Sequence, residues 1–172
     1  MIIDVNEIPR EGLHIDQDFD FIGPDLVEED AVFLEPTHAV VEVRKIGAEV
    51  LVKGRITTRL SFTCSRCLRP FEFNVDSAFD LVYLPEELDE LKEELEEEDL
   101  ERFFYYHQQL DLRAVVLEQL NLSFPFRPLC SEDCEGLCPV CGEVINQGRC
   151  ACEFHSVDPR LGNLKFFFRE KK

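Results

Sequence analysis

The chain has 172 residues, 45% of them hydrophobic, and a formal net charge of −18. That is enough apolar material for one core, on a body acidic enough to repel phosphate backbones and so to exclude a broad basic nucleic-acid face. No run approaches the roughly 18 apolar residues of a membrane span, and Met1-Ile2-Ile3-Asp4 brings in a carboxylate where a secretory leader would be basic and then apolar, so the expected location is cytoplasmic.

Ile2-Ile3-Asp4-Val5 reads as a short edge strand, and Asp16-Gln17-Asp18-Phe19-Asp20-Phe21-Ile22 as an irregular stretch ended by Gly23-Pro24. Residues 39–84 carry a β pattern. Ala39-Val40-Val41-Glu42-Val43-Arg44-Lys45-Ile46 is a strand stopped by Gly47, and residues 50–62 form a longer one in which Gly54 suggests a bulge or bend. Phe71-Glu72-Phe73-Asn74-Val75-Asp76 alternates strictly, and Phe79-Asp80-Leu81-Val82-Tyr83-Leu84 continues the strand signal.

Residues 85–101 set one lysine against eleven acids, with Leu88, Leu91 and Leu95 as a thin helical stripe; a solvated acidic linker is the expectation. Phe103-Phe104-Tyr105-Tyr106 reads as a core strand. Asp111 is placed to cap a helix running to Leu122, with Leu112, Val115, Val116 and Leu120 on one face. Pro125 and Pro128 end it, and Asp158-Pro159 starts a second helix carrying Leu161, Leu164, Phe167 and Phe168.

The eight cysteines carry the chemistry. Cys64-Ser65-Arg66-Cys67 falls between two strands and replaces an ordinary hairpin turn; Cys130, Cys134, Cys138, Cys141, Cys150 and Cys152 fall within 23 residues. Cys138-Pro139-Val140-Cys141-Gly142 has the form of a zinc knuckle: proline fixes φ on entry and glycine accepts φ > 0 where the chain reverses, so both thiolates face one ion. In a reducing compartment such pairs read as metal ligands rather than disulfides.

Three partitions are open. Cys138, Cys141, Cys150 and Cys152 form a complete local set, leaving Cys64, Cys67, Cys130 and Cys134 for a long-range site. Alternatively Cys130, Cys134, Cys138 and Cys141 share one ion and Cys150 and Cys152 join Cys64 and Cys67, or a single zinc leaves four thiols spare. The first is the one expected here, with two structural zinc ions. Closing the 62-residue loop between Cys67 and Cys130 costs about 3.7 kcal/mol plus a constant, against roughly 10–16 kcal/mol from a structural zinc. An all-thiolate site leaves no open position for water, so no catalytic role is expected. His155 is a possible substitute ligand that reads better as a surface imidazole, and no catalytic triad order, phosphate-cradling loop or His-Glu-x-x-His pattern is present.

The segment Pro128-Leu129-Cys130-Ser131-Glu132-Asp133-Cys134-Glu135-Gly136-Leu137-Cys138-Pro139-Val140-Cys141-Gly142 resembles the C-terminal signature of the YceD family, the large ribosomal RNA subunit accumulation proteins. Cys64-Ser65-Arg66-Cys67-Leu68-Arg69-Pro70-Phe71, Leu110-Asp111-Leu112 entering Leu117-Glu118-Gln119-Leu120, and Asp158-Pro159-Arg160-Leu161 resemble further family features, in order, over residues 40–168. The resemblance implies a non-enzymatic role in 23S rRNA accumulation and ribosome biogenesis, in bacteria and chloroplasts.

The expected fold is α+β: an antiparallel β-meander or barrel-like sheet with a central helix and a C-terminal cysteine-rich zinc-binding segment. A mostly β domain is expected over residues 1–128, and a zinc-ribbon-like segment with a terminal helix over 129–172. The net charge points to a basic ribosomal protein or pre-ribosomal particle as partner, with rRNA contact weak, no membrane and no small-molecule substrate. The competing reading is a zinc-ribbon RNA- or DNA-binding regulator, with Arg66, Arg69, Arg127, Arg149 and Arg160 making a local basic spot near the cysteines.

Overall fold

The computed structural model describes residues 1–28, 30–86, 102–148 and 150–152. In chain order the elements are β1 (Ile2–Asp4), β2 (Leu13–Phe19), β3 (Val32–Phe33), β4 (Thr37–Ile46), β5 (Glu49–Thr63), β6 (Pro70–Pro85), β7 (Arg102–Tyr105), β8 (Gln109–Asp111) and α1 (Leu112–Leu122), with short 3-10 turns between some of them. Most of the acidic run and the segment carrying Asp158-Pro159 and His155 lie outside the described residues.

The larger sheet has the order β2-β4-β5-β6-β7, with β3 pairing the far end of β5 beyond the reach of β4. The expected barrel does not form: β2 and β7 sit at opposite ends of the strand order and do not pair, so the sheet is open. Nor is it a pure meander, because β7 runs parallel to β6, with Val82 opposite Arg102 and Pro85 opposite Tyr105. A parallel neighbour needs a connection of a dozen or more residues, and the sequence leaves sixteen, residues 86–101, between the two strands.

One sheet face is apolar because the side-chain period of a strand is two. On β4, Thr37, Ala39, Val41 and Val43 are buried, and on β5, Val50, Val52, Ile56, Leu60 and Phe62. The opposite face is polar and carries cross-strand ion pairs, Lys53 with Asp80 and Arg55 with Asp76. The Arg55 guanidinium donates to the Asp76 carboxylate and holds its carboxyl below the ordinary range.

Two expectations are corrected here, over residues 13–19 and at Gly54. Residues 13–19 form the edge strand β2, pairing Leu13 with Val43 and Phe19 with Thr37, where an irregular stretch was expected from residue 16. The acids do not prevent pairing because Asp16 and Asp18 point to solvent while Ile15 and Phe19 point inward. Residues 71–76 and 79–84, read as one continuing strand signal, do form a single strand, β6. Gly54 makes no bulge: the register runs through it unbroken, opposite Val41 and Phe79. It is glycine because the Phe79 ring lies over it, so close that an added Cβ would fall 2.5 Å from Cζ.

The helix begins where expected. Asp111 accepts a hydrogen bond from the Arg113 N–H at 3.0 Å, which satisfies one of the unpaired donors of the first turn. Leu112, Val115, Val116 and Leu120 then face the core. The two-stranded β1–β8 ladder fixes the helix start, and the Leu112 N–H donates to the Met1 carbonyl at 2.9 Å. Phe62 sits at the end of the core nearest the cysteines, edge-on to Phe73 at 5.2 Å and to Phe124 at 5.1 Å. Phe71 packs against both this core and a smaller cluster built on Cys64, Cys67 and Cys134. Among the described residues no helix is long and apolar enough to cross a membrane.

Candidate metal centres

Cys64 and Cys67 flank the reversal between β5 and β6. The Leu68 N–H donates to the Cys64 carbonyl at 2.9 Å and the Cys64 N–H to the Arg69 carbonyl at 2.9 Å. Leu68 adopts φ = 57°, the left-handed region, without being glycine. Cys138 and Cys141 repeat this turn. The Gly142 N–H donates to the Cys138 carbonyl at 2.8 Å, the Cys138 N–H to the Glu143 carbonyl at 2.7 Å, and Gly142 takes φ = 75°.

Beyond α1 the two prolines carry the chain back to the first knuckle, where the Ser65 N–H donates to the Pro128 carbonyl at 2.9 Å. That contact sets down Cys130 and Cys134 beside Cys64 and Cys67. The eight sulphurs gather as two tetrads, Cys64, Cys67, Cys130, Cys134 and Cys138, Cys141, Cys150, Cys152, each with all its sulphurs within 4.8 Å of one another. Of the three partitions open in the sequence, this is the first, and both tetrads are positioned to hold a metal ion.

The spacing suits zinc. A tetrahedron with metal–sulphur bonds of about 2.3 Å has edges of about 3.8 Å. Cys64 Sγ lies 3.8 Å from Cys134 Sγ, and Cys67 Sγ lies 3.7 Å from Cys130 Sγ. These separations are far beyond a disulfide bond of about 2.05 Å.

The electrostatics point the same way. Burial pushes the Cys64 thiol up, but backbone N–H donors of Cys130, Cys67 and Arg66 outweigh it and bring it down to about 6. Cys67 is lowered, first by the Arg69 N–H. Cys130 is pushed up to about 12 and Cys134 is raised, in both first by burial. In the second tetrad Cys138 falls to about 6, led by the Cys141 N–H, while Cys152 rises to about 12, led by its contact with Cys141. Each group thus sets lowered thiols beside raised ones. A divalent cation favours the thiolate at each ligand and would let all four sulphurs coordinate.

The tetrads differ in exposure. Cys64, Cys67 and Cys134 are buried and Cys130 half-buried, whereas in the second only Cys138 is buried and Cys141 is exposed. Of the arginines read as a basic spot, Arg66 is exposed but its guanidinium is engaged by the backbone, donating to the Glu132 carbonyl at 3.2 Å and the Cys134 carbonyl at 2.8 Å. The Arg69 side chain contributes to lowering Cys67. Arg127 is exposed; Arg149 and Arg160 lie outside the described residues. The sequence reading missed Asn146, which ties two cysteine loops together through its side-chain amide. Its only signal was an Asn within a short turn between Cys141 and Cys150.

The fold and its clusters define a small α+β protein with an open six-stranded sheet, a two-stranded ladder, one described α-helix and two four-cysteine candidate metal centres. The chain belongs to the YceD family: the family model described as "Large ribosomal RNA subunit accumulation protein YceD" matches residues 52–168. An uncharacterized protein of Mycobacterium tuberculosis (strain ATCC 25618 / H37Rv) is 30% identical over 125 residues, covering 72% of this chain and 58% of the relative. The Arabidopsis thaliana large ribosomal RNA subunit accumulation protein YCED homolog 1, chloroplastic, is 23% identical over 163 residues, covering 80% of this chain and 51% of the relative. The chain therefore spans between half and three-fifths of the length of these relatives. No solved structure matches it. The family is named for accumulation of an RNA subunit, not for a reaction.

Proposed function

We propose that this chain is a non-enzymatic ribosome-biogenesis factor that promotes accumulation of 23S rRNA, and that its cysteine tetrads hold two structural zinc ions. Membership of the YceD family carries the role. Sulphur separations equal to the edge of a zinc–thiolate tetrahedron support the metal. The site residues are Cys64, Cys67, Cys130 and Cys134 for one ion, and Cys138, Cys141, Cys150 and Cys152 for the other. Four thiolates complete the coordination of each, so the metal's work is to fix the chain.

The net charge of −18 supports a basic ribosomal protein as partner, in the cytoplasm. An acidic body shields such a protein from premature contacts until rRNA, with its higher charge density, displaces it. The effect on RNA is then indirect. Depletion of the protein is expected to lower 23S relative to 16S rRNA and to deplete large subunits in sedimentation profiles; an unchanged ratio with normal profiles contradicts the role. Direct RNA binding, if it carried the function, would weaken steeply with added salt as counterions compete. Here the purified chain is expected to hold rRNA fragments poorly even at low salt.

A further inference from the structure

We infer that the two tetrads bind their metals cooperatively, coupled through residues 133–136, which both sites grip. This rests on the zinc reading above.

Residues 133–136 include Cys134 of the first tetrad and end two positions before Cys138 of the second. From the first site, Arg66, between the knuckle cysteines, donates from Nη1 to the Cys134 carbonyl at 2.8 Å and the Glu132 carbonyl at 3.2 Å. Gly136, at φ = 80°, approaches the Arg66 backbone so closely that a Cβ would fall 2.9 Å from its carbonyl oxygen. From the second site, Asn146 reaches back from the turn Ile145–Gln147 between Cys141 and Cys150. Its Oδ1 accepts the Glu135 N–H at 2.8 Å and its Nδ2 donates to the Asp133 carbonyl at 3.3 Å. The Ile145 N–H donates to the Gly136 carbonyl at 3.0 Å, and Leu137 pairs with Val144 in an antiparallel bridge.

The four-residue segment is thus held from both sides, Cys134 and Gly136 by Arg66, and Asp133, Glu135 and Gly136 by the 145–147 turn. A metal in the first site fixes Cys134 and, through it, the surface on which the 145–147 turn docks. That turn lies on the chain path between Cys141 and Cys150, so its docking brings the second ligand pair into place. A metal in the second site orders the same four residues from the other side. Their conformational entropy is lost once, whichever ion arrives first, so the second binds more tightly than it would alone. Linkage makes the effect reciprocal, by a factor within the usual 5- to 150-fold span of about 10. Asn146 is not one of the eight ligands and its side-chain amide bonds to the Glu135 N–H and the Asp133 carbonyl; it is a positioning residue whose loss uncouples the sites without removing either.

The test is zinc affinity of the full chain by competition with a chromogenic chelator. Cys150→Ser leaves the first site alone and Cys64→Ser the second. Each is expected to hold its ion about 10-fold more weakly than the same site does when its neighbour is filled. Asn146→Ala keeps all eight cysteines and is expected to lower the affinity for the second ion by the same factor, with no added effect on the Cys150→Ser background. Two ions that bind the wild-type chain with the affinities of the isolated sites would overturn the inference while leaving the zinc reading intact. A chain that takes up no metal at either tetrad would overturn both. Should Cys64→Ser fail to fold, equal affinities in wild type and Asn146→Ala decide against coupling.

Discussion

Leu68 and Gly142 occupy the same place in two copies of one turn, each four residues after the first cysteine and each in the left-handed region. A Cβ there costs about 1–2 kcal/mol, and the Leu68 side chain recovers little of it, being 63% exposed. Leu68→Gly is therefore expected to stabilise the metal-loaded protein by about 0.5–1 kcal/mol, less than the strain relieved because glycine also frees the unfolded chain. Gly142→Ala is expected to destabilise by about 1 kcal/mol, although no atom lies within 4 Å of the new methyl group. Denaturant titration of both variants checks the pair; equal signs would refute the shared-turn account. Tyr83 supplies a pH test at the same scale. Burial, then the Glu118 charge, raise its hydroxyl from 10.0 to about 12. The folded state keeps the proton longer than the unfolded state, so this contribution is whole below pH 10 and disappears as pH rises towards 12. Tyr83→Phe should flatten that part of the alkaline unfolding curve; a difference from wild type that does not change with pH between 10 and 12 would contradict the assignment.

At the scale of elements, β5 and β6 form the longest pairing, and at Gly54 the Phe79 ring leaves no room for a Cβ. Gly54→Ala drives a methyl group into the ring and is expected to cost about 1–2 kcal/mol, as overpacking does. With Phe79→Ala already in place the same change should be neutral or stabilising, because alanine is a better strand residue than glycine by about 0.5–1 kcal/mol. A double-mutant cycle by chemical denaturation measures that reversal; the same cost on both backgrounds would show that Phe79 is not the reason. Gly54 illustrates where the sequence stops being legible. A strand glycine signals a bulge or a close approach alike, and only the opposite register position decides between them. The helix was legible because its signals are local, Asp111 at the cap and apolar residues at helical spacing. So was the knuckle, whose Pro and Gly act within five residues. The strand β2 was hidden because Asp16, Gln17 and Asp18 mask a period-two pattern set by Leu13, Ile15 and Phe19. The parallel placement of β7 and the openness of the sheet have no local signature at all.

At the scale of the whole molecule, the cysteine partition was one of several the spacing allowed. What selects it is the path of the chain: β5 and β6 present one ligand pair, and α1 with its two prolines returns the next pair to it. A metal ion at the first tetrad would fasten the sheet to residues more than sixty positions away, which is where a structural ion stabilises most. Acidification is expected to release both ions, since thiolates must be reprotonated, and the cysteine segment should loosen with them. The most direct test of the account is native mass spectrometry of the full chain purified with its metal. Two zinc ions per chain are predicted, with one retained by Cys64→Ser and one by Cys150→Ser. A wild-type chain carrying one ion or none would contradict it.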